Sequence, residues 1–415
     1  KNSWRDVVEE LDIPLIRAAF TIRQGLDDKP PWKTVPEAVH HIAAVQIDTI
    51  SVVARSHHLT LRNRVQNYRP NQIWKALREG KVFEHFAHAC CVVPIEEYPY
   101  YRHRMHRFPT HGNSWEKNLY AKHTDLMDDV EDRIRNEGPL SSKDFDDPSK
   151  KKRGGFWDWK PAKVALDLLW QTGRLTVADR IGFQRVYDLP EHVIPSQYLD
   201  NHVDQDEVWR HFLERNLDCL TACTANDLTN YISFGNFALD VKGNRKKTLE
   251  EKLHLLMQDD LVTQIEILKV KTPYYMLTRN LPFIHNVQDR RATSDRVWFL
   301  NPFDNVLWNR ARVQRLFDVD VKLEAYTPPA QRQFGYYITP ILWQHQIIGR
   351  LDPKADRTSN TLIIQNLELT LPRKQQSAAL PHIKQELERF QEFHALEKIQ
   401  VLNTTPRKFK PLLSS

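Results

Sequence analysis

Apolar periodicity constrains this chain more than any single motif. Across residues 10–290 it switches three times from helix-like stripes to a pair of short strand-like runs. In the first copy, residues 11–24 carry Leu11, Ile13, Leu15, Ile16, Ala19 and Phe20 at roughly helical spacing. Residues 35–45 give a second helix with Pro36 in its first turn, and residues 71–80 a third, capped by Asn71 and stopped by Gly80. Residues 81–86 and 89–94 then read as a hairpin. The second copy has a helix near 127–137, a short one begun by 141–145, and a third opened by Pro161 with Val164, Ala165, Leu168 and Leu169 as its stripe. Its hairpin is 175–177 with 184–189. The third has Val208, Phe212 and Leu213 on one helix and 224–232 as another. Thr248-Leu-Glu-Glu251 reads as a capping box opening its last helix, and 261–270 with 274–278 as its hairpin. Three helices followed by a hairpin is the order of a winged helix, so three tandem units are expected.

From residue 295 the pattern changes. Residues 297–300, 323–326, 334–342, 346–351 and 361–369 are strand candidates, interrupted by one helix at 306–317. A final helix near 376–396 shows Leu380, Ile383, Leu387, Phe390, Phe393 and Leu396 on one face, and the tail after Pro406 is expected to fray. The fold class is therefore α+β: three winged-helix units over residues 10–105, 106–198 and 199–290, then a small β-barrel with a C-terminal helix over 291–400.

Composition narrows the function classes. The absence of an eighteen-residue apolar run excludes a spanning helix, and the polar start Lys-Asn-Ser-Trp-Arg-Asp lacks the apolar core of a secretory signal. Four cysteines, Cys90, Cys91, Cys219 and Cys223, without paired Cys/His spacing point to buried thiols in a reducing cytoplasm and to no structural metal. The net charge of +6 and pI near 8.9 favour a polyanionic partner. Lys150-Lys151-Lys152-Arg153 and the run from Lys242 to Lys247 concentrate that charge, although either run alone suits a solvated loop. Tandem winged helices can curve around duplex DNA with cations such as Lys160, Lys163, Arg174, Arg180 and Arg185 on phosphates. Trp157 and Trp159 are candidates for stacking on a base or for packing at an interface.

The chain has no Gly-rich phosphate loop, His-Glu-x-x-His or Gly-x-Ser-x-Gly. His103-x-x-His106 has a metal-compatible spacing, but surface polarity explains it more simply. The pair that invites chemistry is Gln46-Ile-Asp48. In an extended strand Gln46 and Asp48 face one way and Ile47 the other. An amide and a carboxylate side by side can orient and deprotonate a water. By spacing alone the motif is weak, and an Asp that caps a neighbouring backbone is the better account of it.

Longer segments carry a resemblance. Gln46-Ile-Asp-Thr-Ile50 with Val53-Ala-Arg-Ser56, Phe86-Ala-His-Ala-Cys90, Phe156-Trp-Asp-Trp-Lys-Pro161, Phe183 to Leu189, Pro302-Phe-Asp304 with Trp308, and Ala325-Tyr-Thr-Pro-Pro329 continuing to Tyr336 keep their order over most of the chain. Together they resemble the winged-helix DNA glycosylases of the YcaQ (AlkX) and AlkZ family, and the YcaQ branch in particular. The resemblance implies three winged-helix units and a β-barrel around a concave basic surface. It implies excision of N7-alkylated purines, including bases in interstrand crosslinks, with the Gln-apolar-Asp signature at Gln46 and Asp48. Asp48 is then the general base and electrostatic stabiliser, and Gln46 positions the water. Expected DNA contacts are Arg55, His57, Arg62, Lys160 and Arg185. The expected protein is a monofunctional, cofactor-free monomer in the cytoplasm, nucleoid-associated when on DNA, acting on alkylated or crosslinked duplex. A winged-helix transcriptional regulator without catalysis is the alternative.

Overall fold

A computed structural model describes residues 11–111, 114–145, 161–229, 231, 244–288 and 294–413. The basic run at 150–153, Trp157, Trp159 and Lys160 lie outside these residues, as does part of the run at 242–247.

Two stretches share one arrangement, a short strand followed by helix and a hairpin whose second strand pairs with the short one, and a third stretch echoes it with a single bridge in place of the short strand. In the first, helix Val35–Ile42 leads into β1 (Val45–Gln46), and helices Ser56–Arg62 and Asn71–Arg78 lead into β2 (Val82–Phe86) and β3 (Cys90–Pro94), in the order β1-β3-β2. In the second, helix Thr124–Glu137 precedes β4 (Leu140–Ser141). Helix Pro161–Gln171 precedes β5 (Thr176–Ile181) and β6 (Gln184–Asp188), in the order β4-β6-β5. In the third, helix Gln205–Leu220 is followed by an isolated bridge from Cys223 to Tyr275, and helix Arg245–Gln258 by the hairpin β7 (Val262–Ile267) and β8 (Val270–Leu277).

Several sequence expectations shift. Helix Ile13–Arg23, expected as the first helix of the first unit, packs on helices Gln205–Leu220, Leu281–Gln288 and Arg310–Phe317. The polar letters of Ser56–Arg62 conceal a helix with Ser56, His57, Leu59, Thr60 and Leu61 all buried. Asn71 is the first residue of its helix rather than the cap, which is Pro70. Residues 141–145 form a strand end and turn, because Asp144 accepts from the Ser141 amide and hydroxyl. The helix expected to open at Thr248 begins at Arg245, since Asn244 caps Lys246 and Lys247.

The C-terminal region is a curled sheet that forms a half-barrel, so the expected β-barrel is present in part. β9 (Val297–Phe299), β10 (Thr339–Trp343), β11 (Gln346–Asp356), β12 (Thr361–Leu369) and β13 (Lys398–Val401) run in the order β13-β12-β11-β10-β9, with β14 (Thr404–Thr405) beside β12. Residues 323–326, expected as a strand, are irregular chain that enters a turn at 325–326. Helix Arg373–Phe393 covers the sheet through Ala379, Ile383, Leu387 and Phe390. The tail is docked rather than frayed, with Phe409 and Leu413 buried in the same core. That core also takes in Val53 and Leu59, and Ala355 donates to the Val52 carbonyl at 3.3 Å, so the segment after Asp48 is fastened to the sheet. A second core joins Val45, Ile73 and Leu77 to Met127, Leu168 and Trp170. No helix among the described residues is long and apolar enough to cross a membrane.

Candidate active site

The Gln46–Asp48 stretch is held from both ends. Helix Val35–Ile42 begins on a Thr34/Glu37 capping box and ends at Ala43, whose φ of 66° turns the chain into β1. Such a conformation costs a residue with a Cβ about 1 kcal/mol and persists only where neighbours over-determine it. Asn305 does so: its side-chain amide donates to the Ile42 and Ala44 carbonyls at 3.1 and 2.9 Å and to the Tyr231 hydroxyl at 3.1 Å. β1 then pairs with β3, Gln46 opposite Cys91, and the Ile47 amide donates to the Cys90 carbonyl at 2.8 Å. Val45 and Ile47 are buried while Gln46 and Asp48 are half-buried, the alternation of an extended chain.

Gln46 has a partner not anticipated from the sequence. Its Oε1 lies 3.0 Å from His88 Nε2, in the loop between β2 and β3. Burial lowers His88 to about 4, so the ring is neutral near pH 7. An amide oxygen only accepts, which puts the ring proton on Nε2 and leaves the Gln46 amide nitrogen free to donate elsewhere. The imidazole lies against Trp308, centroids 3.9 Å apart, and Trp308 is fixed by its indole bond to the Phe303 carbonyl at 2.8 Å. His88 sits in the segment Phe86 to Cys90 that carries the resemblance. Among eighteen histidines its sequence offers no other distinguishing signal.

Asp48 divides its two oxygens. Oδ1 accepts from the Ile50 amide at 2.8 Å, the local capping role that spacing alone also suggests. Oδ2 has no hydrogen-bond donor among the described residues. Asp48 also forms no ion pair there. Two tyrosines of the sheet region feel its charge: burial first, then Asp48, raises both Tyr337 and Tyr326. The Tyr337 hydroxyl is buried with no hydrogen-bond partner among the described residues. The site therefore gathers a half-free carboxylate, a tethered amide, a neutral imidazole and phenols, contributed by the first unit and the C-terminal region. The cavity of about 360 Å³ lined by Lys322, Phe334, Arg350 and Thr370 includes neither Gln46 nor Asp48.

The cations expected on DNA are placed differently. His57 is fully buried, 5.3 Å from Trp74 and 5.9 Å from Phe183 between ring centroids, and presents no surface to a phosphate. Arg55 lies 3.9 Å over the Phe183 ring. Arg62 pairs with Glu386 at 2.7 Å, its side chain 8% exposed, tying helix Ser56–Arg62 to helix Arg373–Phe393. Arg185 and Arg180 converge on buried Glu84, and Arg185 also lies 3.8 Å over Trp170. Arg174 is bound by Asp128 and Glu131. A linear reading has no access to these carboxylates, because every one of them is remote in sequence. Asp304 joins Arg64 in a bidentate pair at 2.8 Å, both side chains fully buried, while also capping Val306.

No cluster of three His, Cys, Asp or Glu able to hold a metal occurs among the described residues. His103 instead contacts Gln205 Oε1 at 2.6 Å. All four cysteines are free, and burial raises the thiols.

Comparison with known proteins gives two findings. A family model described as DNA glycosylase AlkZ-like matches residues 39–393. Among solved structures, the Streptomyces sahachiroi DNA glycosylase AlkZ superposes with a TM-score of 0.62 at 14% identity, over 95% of this chain and 100% of that one. At that identity the likeness shows a common fold. The matched span includes Gln46, Asp48, His88, Trp308, Tyr326 and Tyr337.

Proposed function

The chain belongs to the AlkZ-like DNA glycosylase family, and from that premise we propose that it hydrolyses the N-glycosidic bond of N7-alkylated purines with Asp48 as base. The observation that carries the reading is the pairing of an amide anchored by a neutral histidine, at the end of β1, with a carboxylate two residues on that keeps one undonated oxygen. An N7-alkylguanine is already cationic, so N9 leaves without a proton from a general acid. Water held by the Gln46 amide attacks C1′ and gives its proton to Asp48. The C1′–N9 electron pair stays with the base and neutralises its ring. The Asp48 charge stabilises the oxocarbenium-like sugar meanwhile. One carboxylate suffices where sugar hydrolysis ordinarily uses two, because the leaving group is pre-activated. This hydrolysis uses no amine nucleophile and leaves an intact abasic site, so the enzyme is read as monofunctional.

The three recurrent units are read as winged helices spanning roughly the 10–105, 106–198 and 199–290 segments, acting as a monomer in the cytoplasm. Half-exposed catalytic groups favour a base that is engaged without deep burial. That suits crosslinked bases, which stay tied to the opposite strand. Of the expected contacts, Arg55 is half-buried and retained as a candidate, and Lys160 is retained on sequence alone.

The test is incubation with duplex containing N7-methylguanine, followed by hot alkali to reveal abasic sites. Wild type should cleave. Asp48→Asn should lose about 10²-fold or more, on the scale of general-base catalysis, with DNA affinity kept. Full activity in Asp48→Asn would remove Asp48 from the role of base.

A further inference from the structure

Among the described residues only two large aromatic side chains stand exposed, Phe86 and Tyr326, and Tyr326 is 77% exposed. Exposed aromatics on loose loops are unremarkable. Tyr326 is not on one. Glu324, two residues before it, accepts from the amides of Gln333, Phe334 and Gly335 at 3.0, 2.8 and 3.1 Å. The Thr327 amide returns to the Glu324 carbonyl at 2.9 Å, and Arg332 Nε donates to the Thr327 carbonyl at 2.9 Å. Gly335, at φ +143°, closes against Asp352, whose Oδ2 would stand 2.0 Å from an added Cβ. Asp352 in turn accepts from the Tyr336 and Tyr337 amides at 3.2 Å each.

The loop is thus a braced frame. Its inner end, Tyr337, is buried in the core that also receives Ile50, two residues past Asp48. Its outer end holds a phenol ring in solvent on the side of the carboxylate, whose charge reaches both tyrosines. This frame anchors a ring that is largely exposed and so adds little apolar burial to stability. A fixed aromatic face beside a carboxylate suits a flat, positively charged ligand: the ring quadrupole attracts a cation over its face, and stacking accepts any base.

Resting on the glycosylase reading above, we propose that Tyr326 stacks on the alkylated purine and favours it over neutral purines through its positive charge. As a group touching the base, it determines specificity; Asp48 and Gln46 keep the chemistry. An exposed position makes substitution safe for folding, so activity and stability separate cleanly.

The experiment is single-turnover excision of N7-methylguanine by wild type, Tyr326→Phe, Tyr326→Leu and variants carrying mono-, di- and trifluorinated phenylalanine at 326. Tyr326→Phe should stay within about twofold. Tyr326→Leu should fall about tenfold, ~1.4 kcal/mol, with an unchanged melting temperature and unchanged affinity for undamaged duplex. Each added fluorine withdraws π density, so the logarithm of the rate should fall stepwise along the series. A flat fluorine series, or Tyr326→Leu equal to wild type, overturns the proposal while leaving the glycosylase reading intact. An inactive wild type sinks that reading and this one with it.

Discussion

Replacing Glu84 by Gln separates the two roles open to Arg185, phosphate contact and structural lock. Glu84 is fully buried on β2 and receives Arg180 through Nε at 2.6 Å and Nη2 at 2.8 Å, with Arg185 Nε on the same carboxylate. Both arginines come from the β5–β6 hairpin, so this cluster fastens the second unit to the sheet of the first. Gln leaves the two guanidinium groups without their shared anion, Arg185 keeping only Asp167 at 3.4 Å. Removing one partner of a buried pair costs about 3–5 kcal/mol. Burial alone would raise Glu84, but Arg185 and Arg180 overcome it and hold the carboxyl at about 2. Because the folded value is the lower one, this contribution is present above pH 4.5 and fades as pH drops towards 2. Urea unfolding of Glu84→Gln, Arg185→Met and the double variant at pH 7 should show both single variants destabilised and the double far less so than their sum. The salt dependence of duplex binding, measured alongside, should keep its slope in Arg185→Met. A phosphate contact would instead lower that slope by about one and leave stability unchanged. That pair of results would refute the structural assignment.

Three further outcomes follow from the geometry. His88→Phe keeps a ring against Trp308 but removes the donor to Gln46; a neutral hydrogen bond of about 1 kcal/mol predicts an about fivefold slower excision with duplex affinity retained, read by single-turnover kinetics. Asp304→Ala strands the buried Arg64 guanidinium and should cost about 3–5 kcal/mol in denaturant unfolding, with conservative Asp304→Glu intermediate. Burial depresses His58, His88 and His345 to about 4 and His85 and His394 to about 3. Their contribution is complete above pH 6.5 and lost as pH falls through 6.5 towards 4, because the unfolded chain then binds protons that the folded one refuses. Melting temperature should therefore drop steeply over that window, before most carboxylates titrate.

Much of this fold is legible in the chain, and for identifiable reasons. Hairpins β2–β3 and β5–β6 stand close to where short β-like runs bounded by turn residues put them, although burial does not alternate along them: β2 is buried from Val82 to His85 and β3 from Cys91 to Pro94. Helices Val35–Ile42 and Pro161–Gln171 are announced by Pro in the first turn and an apolar stripe. Helix Ser56–Arg62 is hidden because its buried positions include Ser56, His57 and Thr60, polar residues whose burial depends on neighbours from elsewhere. The assignment of Ile13–Arg23 to the first unit follows from chain order, whereas its apolar face packs on helices more than 180 residues away.

The candidate site divides the same way. Period and spacing alone put Gln46 and Asp48 on one edge of a strand with Ile47 inward, since those are properties of an extended backbone. Which of them has a free valence is a tertiary matter. Oδ1 of Asp48 is taken by its own turn and Gln46 is oriented by His88, while Tyr326 and Tyr337 arrive from a region nearly 300 residues on. The basic residues show the limit most clearly. Charge is visible in a sequence, but its partner is not. Arg62, Arg180 and Arg185 read as phosphate contacts until the fold brings Glu386 and Glu84 against them, because only a folded chain decides whether a cation meets solvent or a buried carboxylate.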